Sequence, residues 1–220
     1  VRLLSMESGG DTNRTVFTFA GPAAPVAEAA YALAERAVFH IDMRTHRGAH
    51  PRIGAVDVIP FVPLNPAAVD TCISLSRSLA ERLWAELAVP VYLYGKAAAD
   101  PSRTRLPDIR KGQYEGLRRR MELPGWKPDY GDRFNERAGA AVVGARDVML
   151  AYNVNLDTKD VRKVRHIAGK IRTSGSRTAD TAGRPVREPG LLPFCQADGW
   201  YLPEYGFCQV TMNLHNIPVT

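Results

Sequence analysis

Residues 56–94 read VDVIPFVPLNPAAVDTCISLSRSLAERLWAELAVPVYLY, and the order of signals in that stretch decides the fold class. Val56–Val62 is a short apolar run of the kind that forms a buried strand. Asn65–Pro66 supplies a capping side chain followed by proline at the first helical position, where a missing N–H costs little. Behind it Val69, Cys72, Leu79, Leu83 and Leu87 fall on one helical face, and the valine- and tyrosine-rich Val89–Tyr94 is the next strand. Toward the N-terminus, Leu3–Met6 and Thr15–Ala20 read as strands joined by the turn-rich segment Glu7–Asn13. Pro22 then opens a helix with the stripe Val26, Ala30, Leu33, Ala37, Ile41. The sequence β-β-α-β-α-β implies an α/β (α+β) fold, a split βαβ, ferredoxin-like layout with helices on one face of a mostly antiparallel sheet.

Working toward the C-terminus, Lys96–Tyr130 is irregular, with one short helix over Leu106–Met121. A second unit is expected from about Ala140. Val148–Leu156 reads as a strand, and Asp157 caps a helix with Asp160 at its third position and the inner stripe Val161, Val164, Ala168, Ile171. Ser174–Pro193 is rich in glycine, proline and charge and reads as a flexible loop. Cys195–Tyr201 and Phe207–Leu214 form a closing pair of strands. The expected domains are two ferredoxin-like subdomains, residues 1–147 lacking a first strand and residues 148–220 cut short.

The chain has 220 residues, 45% of them hydrophobic and 24% charged, which is globular composition. No run approaches the roughly 20 apolar residues of a membrane span, and no basic-then-apolar leader opens the chain. Cys72, Cys195 and Cys208 fit neither a disulfide framework nor a metal-binding pair, so a cytoplasmic, reducing compartment is expected. The net charge is +6, and arginine supplies 23 of the 29 basic residues, which favours an anionic partner through fork-type contacts. Arg103–Arg120 is the most basic segment. It carries only Tyr114 for base stacking and matches no RNA- or DNA-binding pattern, so no nucleic-acid partner is expected.

Three features carry chemistry. Met43–Gly54, MRTHRGAHPRIG, packs Arg44, His46, Arg47, His50 and Arg52 between a helix end and a buried strand with no acid among them. Histidine exchanges protons near neutrality, and arginines beside it can clamp carboxylates. Asp11-Thr12-Asn13-Arg14 sits just before a strand. Trp126–Arg146 holds Trp126, Tyr130 and Phe134, then the small-residue run Ala138–Ala145, which suits either close approach to a flat ligand or an interdomain crossing. His40, His166 and His215 read as structural, and His46 as a loop residue.

These stretches, DTNRTVFTFAGP (11–22), IDMRTHRGAHPRIGAVDVIPFVP (41–63), VPVYLYG (89–95), LPDIRKGQYEGL (106–117), GAAVVGARDVMLAYNVNLDT (139–158) and QVTMNL (209–214), are similar to the formiminotransferase domain, found alone or fused to a cyclodeaminase. The H-P-R-[MI]-G-A-x-D signature is long and specific. The resemblance implies transfer of a formimino group from N-formimino-L-glutamate to tetrahydrofolate, giving 5-formiminotetrahydrofolate and glutamate, a step of histidine breakdown that feeds the one-carbon pool. It implies a homodimer; with no apolar span, no HExxH and no clustered Cys/His ligands, neither a membrane partner nor a metal is expected. It makes His50, before Pro-Arg, the catalytic acid/base. It places folate on Gly131, Asp132, Arg133, Phe134, Asn135, Glu136, Arg137, Ala138 and Gly139, and puts Glu7 where the family has aspartate in a strand-end turn. Asn13, Arg14, Arg44 and Arg52 are the candidates for holding substrate carboxylates. Asp132–Arg137 departs from the family's proline- and histidine-bearing loop, so a catalytically silent relative that binds folate or a partner is the alternative.

Overall fold

The computed structural model describes residues 1–180, 183–216 and 219. Contacts divide the chain into residues 1–146 and 147–220.

The first unit opens with a hairpin, β1 (Arg2–Gly9) and β2 (Arg14–Ala20), antiparallel with a bulge between Leu3 and Ser5. It forms a two-stranded sheet of its own, and Leu3, Leu4 and Met6 stay 57–63% exposed. Helix α1 (Ala23–His40) follows, and its buried face is Ala30, Tyr31 and Ala34. That face lies about one position round from the expected stripe. Next come β3 (Asp57–Phe61), α2 (Val69–Leu87) and β4 (Val91–Gly95), the strand–helix–strand of the opening stretch. Asn65 caps the short turn before α2 by accepting from the Ala67 N–H at 3.0 Å. The expected single helix over Leu106–Met121 is two, α3 (Leu106–Ile109) and α4 (Gln113–Met121), because Gln113 adopts a left-handed φ of 53° that no continuous helix tolerates.

The small-residue run is β5 (Ala141–Ala145), the middle strand of a sheet ordered β3-β5-β4 in which both pairings are parallel. It therefore belongs to the first unit rather than opening the second. The α/β class holds and the βαβ is split, with β5 in the gap, but the three-stranded sheet of the first unit is parallel where a mostly antiparallel one was expected. Helices also cover both faces. Val91, Leu93, Ala141 and Val143 pack with α1 and α2, while Tyr92, Tyr94, Ala140 and Val142 pack with α3 and α4. A parallel sheet has to be buried on both sides, since its crossovers lie on its faces. Ala141–Ala145 is accordingly fully buried, and its small side chains let the layers close on it.

In the second unit β6 (Leu150–Leu156), α5 (Val161–Ile171), β9 (Cys195–Leu202) and β10 (Phe207–Leu214) build a sheet ordered β6-β10-β9, antiparallel throughout. This is the split β-α-β-β order, with β10 between the strands that α5 connects. Val164 and Ala168 of α5 meet Cys195, Ala197, Cys208, Val210 and Met212. The cap of α5 is Asp160 rather than Asp157: its carboxylate accepts from the N–H groups of Arg162 and Lys163. The expected loop at 174–193 contains a hairpin, β7 (Ser176–Ala179) with β8 (Pro185–Glu188), and residues 181 and 182 between its strands lie outside the described residues. Lys170 anchors this hairpin through Glu188. Pairing of strands absorbed a segment whose composition alone reads as loop.

Candidate active site

The chemistry-bearing residues of the first unit meet where the β1–β2 turn docks on the loop between α1 and β3. Asn13 sits at φ 46° just before β2 and donates from Nδ2 to the Arg47 carbonyl at 2.6 Å. His46 Nε2 donates to the Asn13 carbonyl at 2.8 Å, and the Ala49 N–H to the Asp11 carbonyl at 2.9 Å. Gly48 makes the approach possible, since a Cβ there would lie 2.3 Å from the Thr12 carbonyl oxygen. The docked turn delivers Arg14, the first residue of β2, to His50: the guanidinium Nη1 donates to imidazole Nε2 at 2.5 Å. The other ring nitrogen, Nδ1, is buried without a hydrogen-bond partner.

Beyond His50 the loop is fastened on both sides. The fork of Arg52 reaches Glu115 at 2.7 and 2.9 Å and Gln113 at 3.0 Å, tying the loop to the start of α4. The Ile53 N–H donates to Asp57 Oδ1 at 3.0 Å, and Asp57, at φ 58°, also binds the guanidinium of Arg110. Both side chains of that pair are largely buried.

The field at His50 follows from these neighbours. Burial is the largest influence, followed by the charges of Arg14 and Arg110, and together they hold the imidazole pKa down at about 4, with Asp57 opposing them. Arg14 is lowered by the same physics, first by burial and then by Arg110, while Asp57 and Glu7 favour its charged form. At pH 7 the ring is therefore neutral. The site is a neutral base beside two guanidiniums, one pinned by Asp57 and one not, which suits proton transfer on a substrate that brings a negative charge.

The other sequence candidates fall into two groups. Arg44 is clamped on Asp42, whose carboxyl it holds down at about 2, and Arg52 is engaged as above, so both forks are used within the chain. Glu7 lies on β1 opposite Val16 and acts on Arg14 through space. Residues 131–139 wrap from α2 to the base of the histidine loop. Asp132 and Arg133 are exposed and face each other, with Arg133 also over the Trp84 ring. Phe134 lies 5.8 Å from the Tyr114 ring, and Glu136 pairs with Arg118 while its carbonyl accepts from the Tyr114 hydroxyl at 2.6 Å. Asn135 closes the turn onto the Arg137 and Ala138 N–H groups, Arg137 caps the Phe39 carbonyl, and Gly139 bridges to Gly54. Asp57 and Arg110 were not among the sequence candidates. Asp57 is the last residue of the H-P-R-I-G-A-x-D signature and Arg110 lies within LPDIRKG, so both were visible as pattern without a stated role. Among the described residues no group of three or more His, Cys, Asp or Glu side chains is placed to hold a metal ion, and no helix is long and apolar enough to cross a membrane.

Comparison with known proteins bears on this geometry. The family model described as the N-terminal subdomain of the formiminotransferase domain matches residues 1–146, and that for the formiminotransferase domain matches residues 151–220. A glutamate formimidoyltransferase of Thermoplasma acidophilum is 40% identical over 218 residues, covering 98% of this chain and 67% of the relative. One from Streptococcus pyogenes is 40% identical over 217 residues, 98% of this chain and 68% of the relative. The formimidoyltransferase-cyclodeaminase of Rattus norvegicus is 43% identical over 220 residues, 99% of this chain. The chain spans 39% of that longer protein.

Proposed function

The chain belongs to the formiminotransferase domain family, and from that premise we propose that it moves a formimino group from N-formimino-L-glutamate to tetrahydrofolate, yielding 5-formiminotetrahydrofolate and L-glutamate. The observation that carries the reading is the neutral imidazole of His50 set between Arg14 and Arg110. His50 accepts the proton that the folate N5 amine sheds as it attacks the amidine carbon. It then returns that proton to the departing glutamate nitrogen. One group serving both half-steps is general acid–base catalysis, typically worth about 10²–10⁴-fold. The remaining acceleration comes from holding the two substrates together.

In this reading Arg14 faces a carboxylate of the amino-acid substrate while Arg110, paired with Asp57, is a fixed positive charge nearby, and the run 131–139 receives the folate, with the Phe134 and Tyr114 rings as an apolar wall. Arg44 and Arg52 shape the loop instead of holding substrate, since their forks are spent on Asp42 and Glu115. The two units, residues 1–146 and 147–220, are read as the N- and C-terminal subdomains of the formiminotransferase domain. The same resemblance supports a cytoplasmic homodimer that feeds the one-carbon pool from histidine breakdown.

The test mixes the chain with tetrahydrofolate and N-formimino-L-glutamate, stops the reaction with acid and heat, and reads methenyl-folate absorbance. Product from the parent and a loss of about 10²-fold or more in His50→Ala support the proposal. A fully active His50→Ala protein removes His50 from the mechanism. A second reading, a relative that binds folate without turnover, is favoured by the engagement of His50 Nε2 with Arg14. Folate binding with no product in the same assay selects it.

A further inference from the structure

Arginine carries only donors, so the contact between Arg14 Nη1 and His50 Nε2 fixes Nε2 as an acceptor and the ring as neutral, with its proton on Nδ1. An imidazolium, with N–H on both nitrogens, does not fit that contact. The ring as it stands has no working lone pair: Nε2 is engaged by Arg14, and Nδ1 carries the proton. If His50 is to take a proton, Arg14 must leave.

Arg14 is built to leave. Other arginines of the first unit, Arg44, Arg52, Arg110 and Arg118, each hold a carboxylate, on Asp42, Glu115, Asp57 and Glu136. Among the described residues Arg14 forms no ion pair, and its side chain has the His50 ring as its hydrogen-bond partner. A guanidinium exchanges a neutral imidazole for a carboxylate readily, because the carboxylate brings the opposite charge and accepts both arms of the fork where the imidazole accepts one. The groups facing His50 are Arg14 from β2, Arg110 after α3 and Asp57 from β3, and Glu7 from β1 faces Arg14. Arg110, pinned by Asp57, stays in place as a fixed positive charge.

We propose that Arg14 is a substrate-displaced cap on His50: a carboxylate of the amino-acid donor draws its guanidinium off Nε2, which both anchors the donor and frees the base. The identity of that carboxylate rests on the transferase reading above. The exchange also neutralises one of the two charges that depress the imidazole, so the base is strengthened by the event that uncovers it. The chemistry balances through one proton. The N5–carbon bond forms as N5–H passes to Nε2, and the bond from carbon to the glutamate nitrogen breaks as Nε2 returns the proton to that nitrogen. Arg14 is thus an anchoring and positioning residue, and His50 alone handles the proton.

The test is histidine NMR on the ¹⁵N-labelled 220-residue chain, titrated in pH with and without saturating L-glutamate. In the parent, glutamate raises the His50 midpoint by about 1 unit or more. In Arg14→Gln the midpoint is already raised without glutamate and does not move on adding it, while the His46 resonances, fixed through Asn13, stay where they are. In turnover, Arg14→Gln raises KM for the donor about tenfold with a smaller change in kcat, and Arg14→Lys, which keeps the charge without the fork, falls between. A glutamate-insensitive His50 in the parent overturns the proposal, and so does an Arg14→Gln protein that titrates like the parent. Where Arg14→Gln does not fold, the parent titration decides alone. Turnover with an insensitive His50 retains the transferase and discards the cap; a glutamate-dependent His50 without turnover does the reverse.

Discussion

Replacing Asp57 tests how the site is held together, because one carboxylate serves three structural needs. It neutralises Arg110, it accepts the N–H of Ile53, a residue only 1% exposed, and it occupies a left-handed backbone position at φ 58°. Asparagine keeps the acceptor and the tolerance for that backbone and loses only the charge, for a cost of about 2 kcal/mol. Glycine loses both partners while relaxing the backbone, for about 3 kcal/mol, near the lower limit for breaking a buried pair. Alanine loses both partners and adds about 1 kcal/mol of left-handed strain, for about 4 kcal/mol. With a urea slope of about 2 kcal/mol/M, midpoints fall by about 1, 1.5 and 2 M in that order. The assay is urea unfolding followed by Trp84 and Trp126 fluorescence in a Trp200→Phe background, so that only the first unit reports. An Asp57→Ala midpoint within about 0.3 M of the parent refutes the role of the carboxylate, and alanine milder than glycine refutes the role of the backbone.

Three further outcomes follow from the same geometry. Because the His50 imidazole sits at about 4 when folded and near 6.5 when unfolded, the unfolded chain binds more protons between those values. The contribution of His50 to stability is therefore fully present above about pH 6.5 and is lost as pH falls toward 4, and kcat/KM keeps its plateau well below pH 6.5 before the acid limb begins; urea midpoints and a pH–rate profile check the two halves. Gly139→Ala places a Cβ 2.2 Å from the Ile53 carbonyl oxygen at a position with φ 70°, so it destabilises by about 2 kcal/mol or more and weakens folate binding, read by urea midpoint and by fluorescence titration. All three thiols are buried, and burial raises those of Cys72 and Cys195, so a thiol reagent labels the native chain slowly and reaches three equivalents once urea is added.

What the sequence made legible was whatever a local period or a cap decides. The strand–helix–strand of residues 56–94 needed only an apolar run, an Asn-Pro cap and a helical stripe, and β9 with β10 needed only alternation. Pairing partners were another matter. Nothing near Ala141–Ala145 says that it slips between β3 and β4, since the reason is a packing demand from two layers of helix. The shift of the α5 cap from Asp157 to Asp160 has a local cause: Thr158 Oγ1 accepts the Asp160 N–H at 3.1 Å, a turn that places Asp160 at the helix start. At the site, His50 and Arg14 stood out as residue types, and the structure brings them into contact. The engagement of Arg52 was invisible because Glu115 is 63 positions away, and Arg110 drew no notice because a lone arginine in a basic segment looks like solvated surface.

The central place of β5 also has a consequence for how the chain leaves the ribosome. β3 and β4 are complete by residue 95, yet they are not neighbours; the strand that joins them is the last of its unit, residues 141–145. Until that segment emerges, two half-formed sheet edges stand open across an empty slot, each able to pair with another chain. The unit therefore closes late and through contacts far apart in sequence, a slow and aggregation-exposed route. A nascent chain arrested at about residue 135 is predicted to hold chaperones that a chain arrested past residue 180 has released, because an exit tunnel hides roughly 30 residues when the strand is extended.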